Sequence, residues 1–163
     1  GMYLNYAEAL YEYFKACGNG NAADASGAVE YTDAEGNAQS VTVPASQTAA
    51  KMASKTRERS SMPAFAVGMT NDEFWAEYKN ERRVELAFEG HRFYDVRRWM
   101  EDGDKFMIIH RMEITKNEDG TFSYKKVAYK RGDGQWQSKW NLFPFNQTEI
   151  MKSGGAITQN PGW

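Results

Sequence analysis

The sequence predicts a mainly α-helical domain with one or two small β-hairpins at its periphery. Three observations carry that expectation. Apolar residues recur at helical spacing from Tyr3 onward. The capping-box sequence Thr70-Asn71-Asp72-Glu73 opens a long periodic run. Two alternating, β-branched and aromatic stretches, 107–114 and 122–129, flank the turn sequence Asn117-Glu118-Asp119-Gly120.

The first helix is expected over residues 3–16. Leu4, Ala7, Tyr11 and Phe14 form one apolar row, with Tyr3, Tyr6, Leu10 and Tyr13 beside it, so the helix should meet more than one neighbour. A helix this apolar from its first residues points to a piece of a longer protein. Gly18 supplies a stop, and the Gly-, Asn- and Ala-rich segment 18–27 reads as loop. Residues 29–32 and 39–43 are expected to pair as a short hairpin across Asp33-Ala34-Glu35-Gly36-Asn37.

Pro44 and Ser46 then open a second helix, whose face of Ala49, Met52, Ala53 and Thr56 runs to about Ser60. Pro63 and Gly68 mark the next loop. The capped third helix is expected over 71–89, with Gly90 closing it in a left-handed conformation. A fourth follows over 93–100 and ends at Gly103, so a single-glycine turn would join an antiparallel or crossed pair. Beyond the 107–129 hairpin, Arg131 to Gly134 reads as a turn, and Asn146 to Glu149 as the cap of a last short helix. The tail after Thr158 reads as extended or turn-like, and no tandem repeat is visible.

Composition bounds the function. The 163 residues suffice for a single domain with one core, and 41% apolar with 26% charged residues is a globular balance. A net charge of −2 implies neither nucleic acid nor an anionic membrane as partner. Aromatic residues reach 14%, five of them Trp, which suits sugar binding but equally an ordinary core or interface. The one cysteine, Cys17, can form no internal disulfide and no cysteine-based zinc site. It also lacks the apolar run that would precede a lipid-bearing cysteine. No stretch has the length of a transmembrane helix, and no signal peptide stands at the start.

The densest polar cluster lies between Glu81 and Trp99. On a helix, Glu81, Glu85 and Glu89 share one face at four-residue spacing, where three like charges repel. Cations must therefore meet them, and Arg92, Arg97 and Arg98 on the next helix are the expected partners, with guanidinium forks matched to carboxylates. This reads as a structural ion-pair framework. The catalytic alternative is weak: there is no Glu-x-x-His pair, no His-Glu-x-x-His motif, and neighbouring arginines would hold both carboxylates of a glycosidase-like pair ionised. No metal and no cofactor is implied.

His91, after Gly90, reads as a turn histidine bonded to backbone rather than a base, and His110 as a strand residue. Arg131-Gly132-Asp133 spells an adhesion tripeptide that chance readily supplies in a turn. Trp136, Trp140 and Tyr129 are the candidates for stacking on a sugar ring, with packing of the hairpin onto the helices as the stronger of the two readings.

The run Asn80-Glu81-Arg82-Arg83-Val84-Glu85-Leu86-Ala87-Phe88-Glu89-Gly90-His91-Arg92-Phe93-Tyr94-Asp95-Val96-Arg97-Arg98-Trp99 closely resembles the hallmark segment of the SusD/RagB family. Tyr3-Leu4-Asn5-Tyr6-Ala7-Glu8-Ala9-Leu10 resembles the helix ahead of that hallmark. Leu142-Phe143-Pro144-Phe145-Asn146-Gln147-Thr148-Glu149-Ile150 and Thr158-Gln159-Asn160-Pro161-Gly162-Trp163 resemble the family's carboxyl-terminal signature. Three blocks in the family's order span nearly the whole chain.

The resemblance implies tetratricopeptide-like helix pairs with irregular long loops, in a glycan- or nutrient-binding lipoprotein of the outer cell surface. It implies a SusC-like TonB-dependent transporter as partner, an oligosaccharide or other nutrient as ligand, and no catalytic centre. Family members are several times longer. The chain is therefore expected to be a carboxyl-terminal portion, with the export signal and the lipid anchor outside it. Residues 18–45 look like an insertion, and no family ligand residue transfers to a position here. Two other classes stand beside ligand capture: a helical fragment that braces the parent protein, and, weakest, a carbohydrate-active enzyme.

Overall fold

A computed structural model describes residues 1–101, 108–130 and 136–163. They form five α-helices, two antiparallel hairpins and two short 3-10 turns, in two compact units, residues 1–89 and 90–163. The chain is mainly helical with small β-hairpins, as expected.

In the first unit, α1 (Met2–Ala16) buries Leu4, Ala7, Leu10, Tyr11 and Phe14. The second expected row splits: Leu10 is buried, whereas Tyr3 and Tyr6 stay exposed. Tyr13 points its hydroxyl at the next element, accepting from the Glu30 amide at 2.9 Å. Strands β1 (Gly27–Thr32) and β2 (Ala38–Val43) pair from Gly27↔Val43 to Thr32↔Ala38. Their turn is locked by the Asp33 carboxylate, which accepts from the amides of Glu35 and Asn37.

Helix α2 (Ala49–Glu58) starts one step later than Pro44 and Ser46 suggest. Ala45–Gln47 make a 3-10 turn, and Thr48 is the residue whose side chain caps the helix. Its Ala49, Ala50, Met52 and Ala53 are buried, and the bare methyl groups let the backbone pack close against α1. Helix α3 (Asn71–Glu85) has the complete capping box: Glu73 Oε2 accepts from the Thr70 amide at 2.9 Å, and Thr70 Oγ1 accepts from the Glu73 amide at 3.3 Å.

The third helix ends four residues before the expected Glu89. Past Leu86 the hydrogen bonds tighten to three-residue steps, Ala87 to Val84 and Glu89 to Leu86, and Phe88 turns left-handed at φ 67° with its ring in solvent. The turn is thus longer than one glycine. Gly90, at φ 79°, stands at the start of the next helix rather than closing the previous one.

In the second unit, α4 (His91–Arg98) starts two residues earlier than expected and finishes at Trp99 and a left-handed Met100. Gly103 and Met107 lie outside the described residues. Strands β3 (Ile108–Lys116) and β4 (Phe122–Lys130) pair from Ile108↔Lys130 to Lys116↔Phe122, closed by Asn117 N–H to Thr121 and Gly120 N–H to Asn117. Ser138–Asn141 form a 3-10 turn, and α5 (Gln147–Lys152) is capped by Asn146, whose side chain accepts from the Thr148 amide at 2.8 Å.

The tail is sewn back onto this segment. The Gln159 amide both accepts from and donates to the Phe145 backbone, at 2.8 and 3.0 Å, as a strand partner would. Trp163 Nε1 reaches the carbonyls of Lys139 and Leu142, and the Lys139 ammonium lies over the indole at 4.8 Å.

Candidate functional site

Two constellations gather the polar and aromatic residues singled out in the sequence. The first is an ion-pair framework between α2 and α3. Glu81 is buried, and its Oε1 takes the Thr56 hydroxyl at 2.9 Å while Oε2 takes Arg57 Nε at 2.8 Å. Arg57 also approaches Glu77 at 3.6 Å. One turn on, Arg59 bonds both oxygens of Glu85 at 2.9 Å.

The cations that meet Glu81 and Glu85 therefore come from the end of α2, where the sequence predicts Arg92, Arg97 and Arg98. The physical reason is packing: α2 lies beside the acidic face of α3, and the two arginines at its end reach across. Arg57 and Arg59 stand in the sequence as part of the charged segment Lys55-Thr56-Arg57-Glu58-Arg59, but nothing in its spacing says which carboxylates it meets. Arg92 pairs at 3.5 Å with Glu101, and Arg98 at 2.9 Å with the buried Asp95. Glu89 lies in the turn after α3, off the helical face it was expected to share.

A second buried group needs no net charge from outside. The Tyr78 hydroxyl lies 2.9 Å from both the Leu4 carbonyl and Glu8 Oε2, and Arg82 Nη1 donates to the Asn5 side chain at 2.7 Å. Burial, with Glu8 adding, raises the Tyr78 hydroxyl well above the usual tyrosine range. Tyr11 is pushed up to about 12 by burial first, then by Glu12 and Asp72, and it donates to the Asn71 carbonyl at 3.0 Å. Trp75 stacks between the rings of Tyr11 and Tyr78 at 5.2 and 5.3 Å. These groups hold the unit together and expose no reacting atom.

The second constellation is an aromatic shelf in residues 90–163. The Arg97 guanidinium lies 3.6 Å above the Phe93 ring and 5.1 Å above Trp136. Its Nη1 donates to the Phe93 carbonyl at 2.9 Å, and burial lowers its pKa from the usual arginine value. Trp136 meets Trp140 edge-on at 5.5 Å, and Phe93 extends the shelf to Tyr94 and Phe143. Arg97 is thus a cation held between rings, a role distinct from the carboxylate partner expected of it.

Of the three stacking candidates, Trp136 and Trp140 come together, both partly buried. Tyr129 stays on β4 opposite Ile109, exposed. His91 is the first residue of α4, and His110 sits on β3 opposite Ala128. The tripeptide Arg131-Gly132-Asp133 lies outside the described residues. Among the described residues no group of three or more His, Cys, Asp or Glu is placed to hold a metal, and no helix is long and apolar enough to cross a membrane.

The fold and these clusters define a helical unit stiffened by carboxylate–arginine pairs and packed aromatic rings, and a second unit that carries an aromatic shelf. The family model of the SusD family matches residues 1–163, and the chain belongs to that family, which is one of nutrient-binding proteins rather than enzymes. The hallmark run spans the end of α3, the turn and α4, and the two carboxyl-terminal blocks are those the Gln159 and Trp163 bonds join. No curated protein and no solved structure matches the chain.

Proposed function

We propose that this chain is part of a protein that captures glycans at the outer cell surface and hands them to a SusC-like TonB-dependent transporter. The observation that carries the reading is the shelf of Phe93, Arg97, Trp136 and Trp140 in a chain of the SusD family. An indole flanked by a second indole and a guanidinium offers a flat apolar surface beside hydrogen-bond donors. A pyranose needs both, because its ring C–H groups are apolar and its rim is hydroxylated.

The test is calorimetric titration of the chain against a panel of oligosaccharides, with Trp136→Ala and Trp140→Ala beside the parent sequence. A binding glycan should lose about tenfold in affinity on Trp136→Ala, with a modest change in melting temperature. A panel in which nothing binds would return the chain to the bracing role. Glycan turnover abolished by Glu85→Gln, with the fold intact, would overturn the non-enzymatic reading.

A further inference from the structure

A cavity of about 330 Å³ lies in the first unit, lined by none of the shelf residues, between the outer face of α2 and the loops around Asp24 and Phe65. Its floor is the Ala50 and Ala64 methyl groups and Phe65; its rim carries Asp24, Lys51 and Lys55. Val67 lines it too and is 84% exposed, an apolar side chain with no packing role in the fold.

The walls are pinned by bonds that hold them apart as well as together. Ser54 Oγ donates to the Ala50 carbonyl at 2.7 Å and accepts from the Phe65 amide at 3.0 Å, tying the loop to the helix. Asp24 Oδ2 accepts from the Gly68 amide at 2.7 Å, and the Ala50 amide bonds the Ala23 carbonyl at 2.9 Å. The Arg57 guanidinium covers Phe65 at 3.9 Å, so that ring cannot swing away. The cavity is preformed.

Its chemistry is amphipathic. Lys51 spends one donor on the Ala45 carbonyl at 2.6 Å, and Lys55 one on Glu58 at 2.8 Å, which leaves each ammonium donors to spare. Asp24 has Oδ1 beyond its two bonds at Oδ2. A carboxylate oxygen and an ammonium on one rim satisfy vicinal hydroxyls, one as acceptor and one as donor, while the alanine and phenylalanine floor takes a C–H face. The volume lies at the small end for ligand sites.

We infer that this cavity is a binding site for a single sugar ring with vicinal hydroxyls, distinct from the Trp136 shelf. The inference rests on the glycan reading above and adds a second point of attachment on one ligand class.

The experiment is an amide-shift titration of the isotope-labelled chain with methyl glucoside, methyl galactoside and methyl mannoside, then with oligosaccharides of the same sugars. A monosaccharide should shift the amides of Ala50, Lys51, Ala64 and Val67. Lys51→Met, which keeps the stem of an exposed side chain, should weaken it about tenfold, the loss expected for a charge-assisted hydrogen bond. Ala64→Leu, also at an exposed position, should fill the cavity and abolish the shifts, while Trp136→Ala leaves them in place. If oligosaccharides bind with shifts confined to Phe93, Trp136 and Trp140, and Lys51→Met is silent, the cavity assignment is wrong and the shelf stands. If no sugar of either length binds, both fall together.

Discussion

Residues 1–89 and residues 90–163 are built on different principles. Of the 18 buried apolar residues described, 17 lie in the first unit, and Val96 alone lies in the second. The first unit carries 8 Lys and Arg against 13 Asp and Glu, the second 12 against 9. One is an acidic helical unit held by burial. The other is a mildly basic assembly of backbone ladders, side-chain clasps and cation–ring contacts, with Ile108, Met112, Ile114, Phe122 and Tyr124 in solvent along one face of its hairpin. The difference teaches where stability and adaptability reside: burial gives a cooperative unit that resists change, whereas clasps let sequence vary around them.

The sharpest way to break that contrast is Phe74→Ala. This ring is fully buried against Tyr11, Phe65 and Tyr78, so the variant should lose about 3–5 kcal/mol in urea unfolding. A loss below 1 kcal/mol would mean that the first unit is not cooperatively packed. Next comes the framework. Glu81→Ala removes the buried partner that meets Arg57 at 2.8 Å and should cost about 3 kcal/mol. Glu85→Ala removes a pair whose Arg59 side chain is 69% exposed and should cost less than about 1 kcal/mol. Equal melting-temperature shifts for the two would refute the ranking.

An alkaline titration follows. Tyr11 keeps its proton to about 12 when folded, against 10.0 as its ordinary value. The folded state therefore binds the proton more tightly, and its contribution is full below pH 10. Stability should fall by up to about 2–3 kcal/mol as pH rises from 10 to 12, a loss that Tyr11→Phe reduces. Tyr78, raised for the same reason, carries the remainder. Urea midpoints measured between pH 8 and 12 give the slope; a flat profile would contradict the buried hydroxyls. The smallest effect belongs to the hairpin. Ile114→Ser, at an exposed position, should stay within about 0.5 kcal/mol of the parent.

The same contrast governs what was legible in the sequence. Local chemistry read through: the capping box, both hairpin turns and the first row of α1 lie where side chains act on their own backbone within a few residues. The ion pairs did not, because the partner of Glu81 is chosen by which helix packs beside α3, and periodicity carries no information on neighbours. Nor did the end of α3. Leu86, Ala87 and Phe88 all continue the helical pattern, and the tightening of hydrogen bonds there has no single-residue signal. On the shelf, Trp136 and Trp140 were visible as residues, but Arg97 was assigned to a carboxylate because its charge is more conspicuous than its face.

Asn71 has a consequence for how the chain can change length. Its side chain accepts from the Ala22 amide at 2.9 Å and donates to the Asn19 carbonyl at 2.9 Å, while its own carbonyl takes the Tyr11 hydroxyl. With the Ala50–Ala23 bond, it fastens the path between α1 and α2 partway along. In polymer terms, one wide closure becomes two, and the part bearing β1 and β2 is a loop anchored at both feet. The entropy of such a loop grows only with the logarithm of its length, roughly 0.6 kcal/mol per doubling. Segments can be added or removed between Asp24 and Pro44 at little cost to the helices, which makes this stretch the natural place for an engineer to graft a new module.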